Sequence, residues 1–286
     1  EARSPEVRAP AVVHREESQA LAFLRDHMAY GIDEVFADGE AYRELESRLQ
    51  EVNGAGSTVL RAATGPLPAV EAFGLERAVD EALAPEVPLP SGGCLVIQST
   101  EALISIDVNS GKDTSAIDLE DTALRTDLEA AAEAARQVRL RDLAGLIIID
   151  FIDLVHHASR TRVNEALAAA FGTDRMKSRI LPLTEFCLAQ ITRQRRRLPL
   201  ERILCEPCPC CGRGHVLRPE AEARRLLREA RRRARPVPGA RVRVAAPGPV
   251  AAAGSEILSL WGTDSGLDPA CVSWAEGTGT IDVTSV

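Results

Sequence analysis

The sequence predicts a mixed α/β fold of the α+β kind, and three observations carry that prediction. Two runs of branched aliphatics, "CLVIQSTEALISIDVNS" at 94–110 and "LIIID" at 146–150, have the length and β-branched content of strands. The stretch between them, "DLEDTALRTDLEAAAEAARQVRLRDL" at 118–143, is alanine-rich and helical in composition. Strand, helix and strand in this order form a unit that joins parallel strands through a right-handed crossover.

The elements follow in chain order. Residues 1–15 are polar and proline-punctuated and read as a loose lead-in. From Glu17 to Val52 the spacing is helical, interrupted by "GIDEVFADGE", in which "EVFAD" predicts a short strand. The turn-rich segment 53–68 contains a second short strand at Thr58–Ala62, and 69–87 resumes helical spacing until Pro88 and Pro90 stop it. Residues 94–110 predict two strands paired as an antiparallel hairpin around Ser99–Glu101. The central helix starts after Asp118, an N-cap with Glu120 and Asp121 in the first turn. Gly145 precedes the strand Leu146–Ile152, whose unbroken aliphatic run reads as buried on both faces. A helix over Thr161–Phe171, a strand at "RILPL" (179–183), a helix over "TEFCLAQITRQRRR" (184–197) and a basic helix over 220–235 complete the assignment. Beyond Pro236 the Pro, Ala, Gly and Val content predicts a linker. Residues 255–286 hold both tryptophans and receive no assignment.

At 286 residues the chain has room for one large or two modest domains. It begins with Glu rather than Met, which fits a fragment or a processed chain. It has no apolar run long enough to span a membrane and no signal-peptide pattern, so a cytoplasmic protein without a membrane segment is expected. The net charge of −8 argues mildly against a nucleic-acid binder, but positive charge is patterned. Lys112 and Lys177 are the two lysines, and the remaining cations are arginine. Arg193, Arg195, Arg196 and Arg197 form one run, and 224–235 carries seven arginines against one glutamate. Each stretch reads either as a track for phosphates or as a solvated face. Arg136, Arg139 and Arg141 end the central helix. Aromatics make up 3% of the chain, so platforms for base stacking are scarce.

Asp107 falls near the end of the first strand of the crossover unit and Asp150 near the end of the second. Parallel neighbours would bring both carboxylates to one sheet edge, within several ångströms of each other. Two such carboxylates repel unless one takes up a proton or a cation neutralises both, and hard oxygen ligands suit Mg²⁺ or Mn²⁺. Asn109 shares the face of Asp107 by strand alternation and could orient a ligand or water. The alternative is that both aspartates cap helices or pair with arginines at the sheet rim. Asp153 reads as an N-cap, and His156 and His157 as polar surface beside the site. Of seven cysteines, four fall at 205, 208, 210 and 211. Without an export signal this cluster reads as a metal site, and "CEPCPCCGRGHV" offers two CxxC pairs, Cys205/Cys208 and Cys208/Cys211. Cys94, Cys187 and Cys271 read as packing residues.

"LPSGGCLVIQSTEALISIDVNSGK", "LEDTALRTDLEAAAEAARQVRLRDLAGLIIIDFID" and "CPCCGRG" together resemble the catalytic core and zinc-link of the ribonuclease E/G family of bacterial endoribonucleases. The likeness is dense over 89–153 and weaker from about 10 to 235. It implies RNase H-like and linker segments over 1–88, a deoxyribonuclease I-like catalytic subdomain over 89–204, a zinc-link over 205–215 and a basic helix over 216–240. Residues 241–286 stay an unassigned tail, with disorder as one reading. The resemblance implies that Asp107 and Asp150 hold a catalytic Mg²⁺ and that Asn109 supports them. The implied reaction hydrolyses single-stranded RNA and leaves 5′-phosphate and 3′-hydroxyl ends. It also implies that Cys208 and Cys211 share a structural Zn²⁺ with a second subunit, giving a homodimer or homotetramer. Cys205, Cys210 and His215 leave an intrachain zinc site open. The family's OB-type RNA-binding domain and 5′-end sensor lie upstream of this core, and their absence here favours a shortened homologue that binds RNA or protein without cutting. The paired aspartates favour the enzyme. A zinc-ribbon interaction module would explain 205–215 alone. Where the family has "TNLEAA" this chain has "TDLEAA", which places Asp127 on a helix face expected to approach RNA.

Overall fold

The computed structural model describes residues 21, 24, 32–37, 39–52, 59–62, 69–111, 119–212, 214–261 and 267–285. The lead-in over 1–15 and the Asp118 cap lie outside them. The chain divides into two compact units, residues 1–76 and 77–286.

In the first unit the two expected short strands form, β1 (Glu34–Ala37) and β2 (Val59–Ala62), and they pair in parallel. Between them runs α1 (Gly39–Val52), and α2 (Ala69–Ala72) follows. Leu24, Ala37 and Leu45 form a small core there, with Val35, Tyr42 and Leu60 packed against it. The predicted helix over 69–87 is instead α2, then α3 (Leu75–Leu83), then β3 (Glu86–Pro88).

The second unit is organised by a six-stranded sheet of order β3-β4-β5-β6-β8-β7. It comprises β4 (Cys94–Ser99), β5 (Ile104–Asn109), β6 (Gly145–Asp150), β7 (Ser178–Ile180) and β8 (Leu188–Arg193) beside β3. β4 and β5 make the predicted antiparallel hairpin, and β5 and β6 pair in parallel across the helix α4 (Leu119–Leu140). On α4, Ala123, Leu124, Ala130, Ala131, Ala134, Ala135 and Val138 repeat at helical spacing and are buried. Small alanines let α4 lie close to α5 (His157–Gly172), whose Val163, Leu167 and Phe171 point into the same core.

Helices cover one face of this sheet. Ile147 and Ile149 of β6 are fully buried, whereas Leu146 is 41% exposed. The expectation of a strand buried on both faces is therefore corrected: alternation puts Leu146, Ile148 and Asp150 on the open face. Residues 184–197 are also corrected. A turn at 184–187 leads into strand β8, because pairing with β6 on one side and β7 on the other outweighs local helical composition.

After α6 (Leu200–Leu204), the short strands β9 (Cys205–Pro207) and β10 (His215–Leu217) frame the cysteine turn as an antiparallel pair. The basic helix α7 (Pro219–Ala234) forms as predicted. It has Pro219 at its start, Glu220 and Glu222 in its first turn and Arg231 to Arg233 in its last, matching the helix dipole. The predicted linker and unassigned tail are structured among the described residues. β11 (Arg241–Ala246), α8 (Gly248–Trp261), β12 (Val272–Glu276) and β13 (Thr280–Thr284) build a three-stranded sheet of order β12-β11-β13. Its core joins Leu227 and Ala230 of α7 to Val242, Val244, Ile257 and Ile281. Gly254 is required here, since a Cβ would lie 2.1 Å from the Trp274 ring.

Candidate metal centre on the open sheet face

Alternation along β5 buries Ile104, Ile106 and Val108 and turns Asp107 and Asn109 to the open face. β6 does the same with Ile147 and Ile149 against Asp150. Asp107 and Asp150 are register partners on adjacent parallel strands. Their backbones are therefore about 4.8 Å apart, with both side chains on the same face. Asn109 Nδ2 donates to Asp107 Oδ2 at 2.7 Å, which fixes one carboxylate oxygen and leaves the other available. The three predicted residues are brought together. Backbone packing helps: a Cβ on Gly93 would lie 2.4 Å from the Asn109 carbonyl, so the turn before β4 must carry glycine to pass the end of β5.

Among the described residues no ion pair reaches Asp107 or Asp150. The rim-arginine alternative therefore has no support in the described residues. Partial burial, followed by the charges of Asp107 and Asp153, raises the Asp150 carboxyl above the ordinary carboxylate range. Two carboxylates and an amide in this setting are a hard-oxygen donor set of the kind Mg²⁺ accepts.

Other sequence expectations change. The helix α5 is capped by the backbone of His156, so Asp153 is not its N-cap. Asp127 does not face outward. It lies between Ala123 and Ala130 on the buried stripe of α4, fully shielded from solvent, and its Oδ1 accepts the Ile152 N–H at 3.1 Å. Burial raises its carboxyl to about 7, against the opposing Ile152 hydrogen bond. Its place in the stripe was the signal in the sequence that could have found it.

The basic run also proves partly structural. Arg193 is buried, with ion pairs to Asp174 at 2.6 Å and Asp142 at 2.8 Å. Arg139 donates to the Ala170 carbonyl, and Arg141 to Gln137. On α7, Arg232 and Arg233 pair with Glu229.

Cys208 and Cys211 flank one tight turn. The Cys208 N–H donates to the Gly214 carbonyl, Gly212 N–H to the Cys208 carbonyl, and Gly214 N–H to Cys211 Sγ at 3.4 Å. Gly212 has φ +67°, a conformation that favours glycine. Two thiols on one turn fit half of a tetrahedral Zn²⁺ site. Among the described residues no group of three or more His, Cys, Asp and Glu side chains gathers, and His215 Nδ1 lies 2.8 Å from Glu201 instead. Cys187 is buried, and Cys94 and Cys271 are half-buried.

The ribonuclease E/G family model matches residues 1–196. The chain belongs to this family. It is 38% identical over 225 residues to Ribonuclease E of Escherichia coli K12, covering 77% of this chain and 21% of that protein. It is 35% identical over 219 residues to Ribonuclease G of Haemophilus influenzae, covering 76% of this chain and 45% of that protein. Ribonuclease E of a Nostoc species is 36% identical over 226 residues, covering 77% and 33% respectively. The chain spans less than half the length of each of these ribonuclease E/G relatives. Among its described residues, no helix is long and apolar enough to cross a membrane.

Proposed function

We propose that this chain is the core of a cytoplasmic, Mg²⁺-dependent endoribonuclease that hydrolyses single-stranded RNA to 5′-phosphate and 3′-hydroxyl ends. Family membership supports a ribonuclease role. The observation that carries the finer reading is the pairing of Asp107 with Asp150 in register on β5 and β6, with Asn109 bonded to Asp107. In this reading the β4–β8 sheet is the deoxyribonuclease I-like subdomain.

Asp107 and Asp150 would hold the cation, which would supply an activated water and offset charge developing on the phosphate. Asn109 keeps the Asp107 carboxylate in one orientation, so that its free oxygen faces the site. The open sheet face leaves space for an extended polymer. Cys208 and Cys211 would hold half of a Zn²⁺ site that a second copy completes, giving a homodimer or homotetramer.

The test is cleavage of a 5′-labelled single-stranded RNA with and without Mg²⁺, by the chain as given and by Asp150→Asn. The expected loss is about 10³-fold, corresponding to about 4 kcal/mol of transition-state stabilisation. Equal cutting by both proteins overturns the two-aspartate mechanism. No cutting by either transfers the assignment to a non-catalytic RNA- or protein-binding module. For the zinc, Cys208→Ser combined with Cys211→Ser is expected to release about half an ion per chain and to yield monomers. A dimer that persists without zinc overturns the shared site.

A further inference from the structure

We infer that Asp127 and Glu120 are positioning residues, which hold the backbone of loop 151–156 from one face of α4 and thereby fix where Asp150 stands. The inference rests on the metal-site reading above.

The two residues are seven apart on α4 and share a helix face. Asp127 Oδ1 accepts the Ile152 N–H at 3.1 Å, two residues beyond Asp150. Glu120 accepts both the Val155 N–H at 3.0 Å and the His156 N–H at 3.1 Å. From the other side, the Cys187 carbonyl accepts the Phe151 N–H at 3.3 Å, and Cys187 Sγ accepts the Leu154 N–H at 3.3 Å. Cys187 makes both contacts from a left-handed backbone, φ 55°, which a non-glycine residue adopts only when its surroundings hold it there. Arg160 of α5 donates to the carbonyls of Leu154 and Val155. A loop without secondary structure is thus bonded along almost its full length to side chains and backbone of three separate elements.

A merely structural explanation of Asp127 is weak. A buried aspartate with a single donor is costly, and its Oδ2 has no hydrogen-bond partner among the described residues. An apolar residue would pack the same stripe at lower cost but could not accept from Ile152. What the carboxyl contributes is an acceptor at one fixed point, directly behind the end of β6. Burial, and after it the charges of Asp127 and Asp153, raise the Cys187 thiol, while the Leu154 N–H and Arg160 oppose them, and His156 faces Glu120. The two Val155 and His156 N–H groups hold Glu120 below the ordinary carboxylate range, so it stays a charged acceptor.

The experiment compares full-length Asp127→Leu, Asp127→Asn and Glu120→Met with the unaltered chain. It measures Mn²⁺ binding by electron paramagnetic resonance, amide exchange at Ile152, and kcat and KM for RNA cleavage at saturating Mg²⁺. Outer residues that orient ligands typically change metal affinity by about 10- to 100-fold. Asp127→Leu is therefore expected to weaken Mn²⁺ binding about 10-fold, to lower kcat rather than raise KM, and to speed Ile152 exchange. Asp127→Asn keeps the acceptor and is expected to restore all three. Glu120→Met, at a more exposed site, is expected to weaken Mn²⁺ binding in the same direction with the fold intact. Unchanged Mn²⁺ binding and kcat in a folded Asp127→Leu protein, beside an unaltered chain that binds Mn²⁺ through Asp150, overturns the positioning role alone. An unaltered chain that binds no Mn²⁺ overturns the metal site itself.

Discussion

The two ends of β6 treat charge in opposite ways. At its N-terminal end, Arg193 from the neighbouring β8 is buried between Asp142 and Asp174 and also donates to the Leu143 carbonyl. Burial works to raise Asp174, but the hydrogen bonds and charge of Arg193 hold its carboxyl below the ordinary range. At the C-terminal end, Asp150 has no cation among the described residues, and burial with Asp107 and Asp153 moves it the other way. One strand thus carries a closed ion network at one end and an open, repelling pair at the other. Charge that serves only the fold is neutralised within the chain. Charge left unneutralised on an exposed face is where an external cation is expected.

The largest expected effect is at the open end. Asp107→Asn should abolish Mg²⁺-dependent cleavage, by about 10³-fold, while leaving the thermal midpoint unchanged or raised, because it removes like-charge repulsion. A midpoint that falls sharply would make Asp107 structural and erase the contrast. The closed end should behave in reverse. Arg193→Met should cost about 3–5 kcal/mol in urea unfolding, because Asp174 is left buried without its partner. A loss below about 1 kcal/mol would show that this network is ordinary surface pairing.

Asp127 gives the smaller and pH-dependent case. Its carboxyl is raised from 3.8 to about 7 in the folded chain. A raised acid stabilises the fold fully below its unfolded value and loses that contribution as pH climbs to the folded one. Three pKa units correspond to about 4 kcal/mol, and the unsatisfied amide of an asparagine returns about 2 of these. Asp127→Asn should therefore be about 2 kcal/mol more stable near pH 8, and as pH falls through the window from about 7 to about 4 the gain should pass through zero and become a loss of about 2 kcal/mol. Denaturant titrations at several pH values check this, and a gain independent of pH would refute it.

The crossover unit and its two aspartates were legible because their signals are local. Branched aliphatics, an alanine stripe and strand alternation each settle within a few residues. The 184–197 segment was not legible. Whether "CLAQITR" alternates as a strand or winds as a helix depends on β6 and β7, which lie elsewhere in the chain. Residues 241–286 misled by composition: Pro, Ala, Gly and Val also suit a thin sheet against two helices, with Gly254 giving Trp274 its place. Arg193 reads in the sequence as part of a run that is either a phosphate track or a solvated face, and it is neither, because sequence gives charge without direction. Asp127 was readable in principle from its place on the stripe, but its hydrogen bond to Ile152 is a tertiary fact.

Of the five pairings in the six-stranded sheet, β5 with β6 alone is parallel. An antiparallel hairpin such as β4–β5 can close locally, but a parallel pair must wait for its crossover. The order of assembly follows from this. β4 and β5 can zip first, with Asp107 already exposed, and Asp150 arrives only once α4 has formed and docked. The two aspartates of the proposed metal site would thus meet late in folding, and backbone amides of β6 should gain exchange protection after those of the hairpin.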